Sequence, residues 1–151
     1  MTGHLRRLLA AVGRLVRGPE QPLSPKARLG RKGERAAARF LQGKGYTVLE
    51  RNFRTGRGEI DLIVFRDGTL AFVEVRSQTQ PAPMDPLYTI TRGKQRHIVK
   101  AAQAYCTARG PLPPDAVLRF DVVTVRFGPD GTEQGIRHVE GAFETTRRGF
   151  S

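Results

Sequence analysis

The sequence predicts a single α/β domain in which a mixed β-sheet is flanked by helices. Three observations predict it. Hydrophobic periodicity switches along the chain from helix to three strands, back to helix, and then to one or two strands. Asp67-Gly68, between the second and third strands, is the dipeptide most typical of a two-residue hairpin turn. Near that turn both faces of the hairpin are apolar, as in strands covered on both sides. A chain of 151 residues suits one domain with a real core.

Residues 1–23 read as an extension. Leu5, Leu8, Leu9, Val12, Leu15 and Val16 recur at helical spacing among Arg6, Arg7, Arg14 and Arg17, and a Pro/Gly-rich link follows. This short basic amphipathic helix lacks the uninterrupted apolar region of a secretory signal. It is expected to pack on its own domain or fray. The compact domain is expected over 24–151, opening at Ser24-Pro25, a cap followed by proline at the first helical position. Ala36, Ala37, Phe40 and Leu41 form the buried stripe of this helix, and Gly43 and Gly45 end it.

"YTVLERNF" is the first strand, with Tyr46, Val48, Glu50 and Asn52 on one face; residues 59–65 and 69–76 are the next two. "TQPAPMDP" is a proline-rich loop of the length that often carries function. A helix from about Thr91 to Arg109 buries Ile98, Ala101, Ala102, Tyr105 and Cys106, and Gly110 stops it. "VLRFDVVTVRF" is a strand, "GPDG" a turn, and "GIRHVEGAF" a last short element.

The formal net charge of +12 favours a polyanionic partner, nucleic acid before an anionic membrane surface. The lone Cys106 excludes an internal disulfide and fits a reducing, cytoplasmic setting. With only His4, His97 and His138 beside it, a zinc site is not expected. No run approaches the roughly 20 apolar residues that span a bilayer, so no stable membrane insertion is expected.

Placing Asp67-Gly68 at the centre of the turn fixes the hairpin register. Arg66 then faces Thr69, Ile63 faces Phe72, Asp61 faces Glu74 and Glu59 faces Arg76, all on one face. Ile60, Leu62 and Val64 share the other with Ala71, Val73 and Val75. Directly opposed residues have Cβ atoms roughly 4.5–5.5 Å apart, so Asp61 and Glu74 are expected to repel one another. They can share a proton, sit in water or bind a cation, and Mg²⁺ suits hard oxygens on rigid strands. A structural alternative is that Arg76 neutralises the acids. Glu34 joins this group if the first helix crosses the acidic end of the hairpin.

Beyond these patterns, "GRKGERAAARFLQGKGYTVLERNFR", "GEIDLIV", "LAFVEVRSQ", "GKQRHIVKAAQAY" and "RFDVVTV" resemble, in order and spacing, the YraN-like bacterial proteins. That family is similar to Holliday-junction resolvases and is placed in the restriction-endonuclease-like fold. The resemblance covers roughly residues 28–142. It implies a nuclease core of the pattern Asp, then Glu-x-Lys, with Asp61 and Glu74 catalytic and Glu34, Asp61 and Glu74 holding Mg²⁺ or Mn²⁺.

The lysine position of that pattern is Arg76 here. Arginine keeps charge and grips phosphate but cannot serve as a general base. Lys94 or Lys100 could supply a displaced lysine, although a basic face touching DNA backbone is the simpler role. Arg31, Lys32, Arg57, Arg76, Gln78, Lys94 and Lys100 are the expected nucleic-acid contacts. Asp121 matches the family's "RFD" without a role that the sequence explains. The resulting expectation is a metal-dependent endonuclease-like protein acting on DNA, branched DNA included, with a homodimer compatible with the resolvase likeness. The alternatives are a binding protein that has lost turnover through Arg76, and a membrane-surface adaptor led by residues 4–17.

Overall fold

A computed structural model of the chain describes residues 22–145. The expected amphipathic segment at 4–17 lies outside the described residues. Helix α1 (Pro25–Gly43) is followed by strands β1 (Thr47–Thr55), β2 (Gly58–Arg66) and β3 (Thr69–Thr79). A 3₁₀ turn (Pro86–Thr89), helix α2 (Arg92–Arg109) and strands β4 (Val117–Phe127) and β5 (Glu133–Phe143) complete it. The strands form one mixed sheet in the order β1-β2-β3-β4-β5. Only the β3–β4 pair is parallel, and α2 makes the crossover that a parallel pair requires. This is the α/β arrangement that the sequence predicts, and it is consistent with a restriction-endonuclease-like core.

The helix starts are local chemistry. Ser24 Oγ accepts from the Ala27 N–H at 3.2 Å with Pro25 at the first helical position. Thr91 Oγ1 caps α2 by accepting from the Lys94 N–H, and Gly110 at φ 83° ends it. Each helix covers one sheet face. Ala36, Ala37 and Leu41 of α1 pack on Leu62, Val64, Ala71, Val73, Val123 and Val125. Ile98, Ala101, Ala102 and Tyr105 of α2 pack on Ile63, Leu70, Phe72 and Phe120. Fully buried side chains such as Phe72, Leu62 and Ile98 each contribute roughly 1.5–3 kcal/mol. Cys106 is half-buried against the second cluster, which agrees with the packing role expected of it.

Three expectations need correction. The last element is no short piece but an eleven-residue strand, because it pairs antiparallel along most of β4. In β1 the expected common face of Tyr46, Val48, Glu50 and Asn52 is broken by a register shift between Val48 and Glu50. The shift turns Glu50 towards α2, where its carboxylate meets Arg109 at 2.5 Å. Ile60 leaves the Leu62–Val64 face and joins the α2-side cluster.

Candidate metal and phosphate site

The site begins where the hairpin comes apart. The β2–β3 ladder keeps the expected register from Arg66–Thr69 to Leu62–Val73 and ends there. Beyond it β2 stays with β1 as far as Gly58, while β3 continues along β4 to Thr79. Asp61 is the first β2 residue past the opening. Its Oδ2 accepts the backbone N–H of Val75 at 2.8 Å, giving that donor the partner which the β2 backbone no longer supplies. Asp61 and Glu74 therefore meet as close side chains whose charges act on one another, and not as ladder neighbours.

The expected Glu59–Arg76 pair does not form. Glu59 stays with β1, 3.3 Å from Arg54 Nε, because the strands have already parted. Arg76 turns to Glu74 instead, its Nε 3.5 Å from Oε1 but without hydrogen-bond geometry. Lys94 Nζ reaches the same Oε1 from the first turn of α2 at 3.6 Å. The positive end of that helix adds to the field there. The other oxygen, Glu74 Oε2, is buried with no partner.

Asp61 and Glu74 are only 9% and 4% exposed. Burial and the Asp61 charge push Glu74 from an ordinary 4.5 up to about 8, against the pull of Lys94 and Arg76. Burial also raises Asp61, although the Val75 N–H favours its charged form. The pair thus holds a proton at neutral pH, and the Val75 contact leaves that proton to Glu74.

Glu34 comes to this end from α1. It hydrogen-bonds the side chain of Asn52, and burial followed by the charge of Asp61 raises its proton affinity. Two glycines make the approach of the helices close. A Cβ on Gly33 would overlap Ser77 Oγ of β3, and one on Gly58 would overlap the His97 carbonyl of α2. Both helices are thereby pressed against the sheet beside the acids. The three acids are electrostatically linked, yet among the described residues no group of three or more His, Cys, Asp or Glu is drawn tightly enough to hold a metal ion.

The basic residues divide. Arg31 is exposed and its charge acts on Glu34. Arg57 is exposed in the β1–β2 turn, beside the acidic end. Lys32 is taken up elsewhere, donating to the Gly131 carbonyl with its ammonium over the Phe127 ring. Lys100 is exposed on α2 and takes part in none of the contacts of the acids. Of the two lysines considered, the structure brings only Lys94 to Glu74. Gln78 lies beyond Arg76 with a buried, unpartnered Oε1. Sequence reasoning missed Asn52, whose positive φ of 51° gives no pattern to read.

Asp121, unexplained by the sequence, is fully buried in a second polar cluster under the C-terminal end of α1. Arg119 grips it through two nitrogens at 2.8 and 2.9 Å, His138 Nε2 lies at 2.8 Å, and the Gly141 N–H at 3.0 Å. Lys44 Nζ stands 2.8 Å from His138 Nδ1; an ammonium only donates, so Nδ1 accepts and Nε2–H donates to Asp121. Burial alone would raise Asp121, but the hydrogen bonds of His138, Arg119 and Gly141 hold it below the ordinary carboxylate value. Every oxygen of Asp121 is occupied, which makes the cluster a structural tie between β4, β5 and the chain after α1.

Comparison with known proteins agrees with the sequence resemblance. Residues 33–125 match the model of "Uncharacterised protein family UPF0102". The chain belongs to UPF0102. Among UPF0102 proteins it is similar to one from Anaeromyxobacter dehalogenans (strain 2CP-C), 46% identical over 117 residues, covering 77% of this chain and 84% of that one. A UPF0102 protein of Chlorobium chlorochromatii (strain CaD3) is 45% identical over 104 residues, 69% and 78% of the two chains. Another, from Chlorobium phaeobacteroides (strain BS1), is 41% identical over 122 residues and matched over 94% of its length. The UPF0102 match spans Glu34, Asp61, Glu74, Arg76 and Lys94.

Proposed function

We propose that this UPF0102 protein is a Mg²⁺- or Mn²⁺-dependent endonuclease-like hydrolase of DNA. One observation carries the reading: a buried Asp61–Glu74 pair at the opening between β2 and β3, flanked by Arg76 and Lys94. The donors suit a hard divalent ion. Two carboxylates stand on strands, Glu74 Oε2 has no partner, and the proton on the pair is one that a cation displaces. Asp61 and Glu74 would hold the ion, and Glu34 lies within charge range to join them. Bound there, the ion supplies polarisation of the phosphodiester and a more acidic water.

The remaining work belongs to the chain. Arg76 clamps a phosphate oxygen but cannot take a proton. Lys94 brings the compact ammonium that the strand motif lacks, offsetting charge that develops on phosphorus. Arg31 and Arg57 extend the phosphate-binding surface, which makes DNA affinity fall with salt. The test is cleavage of branched and linear DNA with Mg²⁺ or Mn²⁺, beside Asp61→Ala. Metal-dependent cleavage lost in the variant is expected; cleavage that persists marks a contaminant and defeats the assignment.

A second reading is favoured by Arg76 itself. With two cations already against Glu74 Oε1, the site could bind DNA without turnover. Salt-sensitive DNA binding with no cleavage under any divalent ion would select it.

A further inference from the structure

Strand β3 does not end at Arg76. Gln78 follows on the same face, and the parallel register sets Thr124 beside Arg76 and Arg126 beside Gln78. Gln78, Thr124 and Arg126, with Gln80 and the 82–86 segment, line a cavity of about 300 Å³. Arg137 of β5 closes its far side and holds Asp85 Oδ2 at 3.1 Å. A second cavity of about 480 Å³ shares Gln80 and Arg126 with the first, so Arg126 stands on the boundary between the two. Gln78 is four residues past Glu74, ~13 Å at the usual strand rise.

We propose that the first cavity takes one unpaired nucleobase of the DNA strand whose phosphate lies at Asp61–Glu74. The protein therefore selects DNA containing an unstacked nucleotide over intact duplex. This rests on the functional reading above and gives that site a substrate class.

The chemistry of the lining decides the ligand. Gln78 Oε1 is buried with no partner. Whichever way a glutamine amide is turned, it offers one acceptor and two donors. A phosphate group only accepts, so an anion alone leaves part of that amide unsatisfied. The edge of a nucleobase presents donors and acceptors together. Thr124 and Asp85 add acceptors, and Arg137 adds donors.

Size and charge agree. A volume near 300 Å³ lies at the bottom of the range for ligand pockets, enough for a single base and closed to duplex. Arg126 is exposed and makes no ion pair among the described residues, so it is free to take the phosphate beside the inserted base. Met84, 53% exposed, lines the cavity, and Tyr88, 76% exposed on the adjoining 3₁₀ turn, offers a stacking face to the neighbouring nucleotide.

The experiment measures binding without divalent ions, in chelator, so that it does not depend on catalysis. Two DNA duplexes of equal length are compared, one intact and one carrying a single unpaired 2-aminopurine. The wild type is expected to bind the second roughly tenfold more tightly, the order of one bidentate base contact. Unstacking should also brighten the 2-aminopurine. Gln78→Ala should bring the two affinities together. Arg126→Ala, on an exposed side chain that folding does not need, should weaken the unpaired probe more than the duplex. Equal wild-type affinities, or a preference that survives both substitutions, overturns this inference and leaves the functional reading standing. Failure to bind either DNA overturns both.

Discussion

Glu74→Gln separates the charge of the buried acid from its shape. In the wild type the folded protein keeps a proton on Glu74 up to about pH 8, whereas the unfolded chain releases it near 4.5. Between those values the folded state binds more protons, so the stabilisation is complete below about pH 4.5 and is lost as pH rises through about 8. Each tenfold change in proton affinity is about 1.4 kcal/mol, and the interval corresponds to at most about 5 kcal/mol. Glu74 is 4% exposed, so solvent screening reduces this little. Glutamine does not titrate and keeps the volume. Urea unfolding at pH 5 should find the two proteins alike, and at pH 9 the variant should be the more stable by a few kcal/mol. Mg²⁺ at pH 9 should then stabilise the wild type more than Glu74→Gln, whose neutral amide is the weaker ligand. Parallel stability curves from pH 5 to 9 would refute the reasoning, because they would mean that Glu74 is ionised throughout.

Other substitutions test the remaining parts. Lys94→Met should lower the DNA cleavage rate roughly 100-fold while leaving metal-free DNA binding within about threefold; Arg76→Lys should retain cleavage, since the ammonium on α2 is still present. Gly58→Ala should cost about 3 kcal/mol in urea unfolding, because the new methyl meets the fixed His97 carbonyl. Gly33→Ala should cost about 2–3 kcal/mol, since rotating the Ser77 hydroxyl away still leaves the new methyl 2.9 Å from Ser77 Cβ. Asp121→Ala should cost about 3–5 kcal/mol at pH 7 by leaving Arg119, His138 and the Gly141 N–H without their shared acceptor, with the deficit shrinking as pH falls below the ordinary carboxylate range.

Much of the fold was legible because its signals are local. Ser24-Pro25, Asp67-Gly68 and Gly110 each act within a turn of chain, and the structure uses all three. The hairpin register was legible as far as Leu62–Val73 for the same reason. Past that point β2 stays with β1 and β3 with β4 on their outer edges, and the two inner strands part. No two-residue turn encodes where its strands diverge, so the Glu59–Arg76 pair was expected and did not form. The juxtaposition of Asp61 and Glu74 survived by a different route, a carboxylate filling the gap where a backbone carbonyl was missing. Asp121 was opaque because, apart from Arg119 two residues away, its partners His138 and Gly141 lie 17 and 20 residues on in β5. Nothing local in the sequence marks Gly33 or Gly58 as the points where the helices approach the sheet.

The central claim is that Asp61 and Glu74 form a proton-holding pair that a divalent cation takes over. Titration calorimetry of Mn²⁺ at pH 7, repeated in buffers of different ionisation enthalpy, measures both the binding and the protons released. One ion per chain with release of about one proton is expected, abolished in Asp61→Ala and without proton release in Glu74→Gln. Unchanged binding in Asp61→Ala, or wild-type binding that releases no proton, would contradict the account.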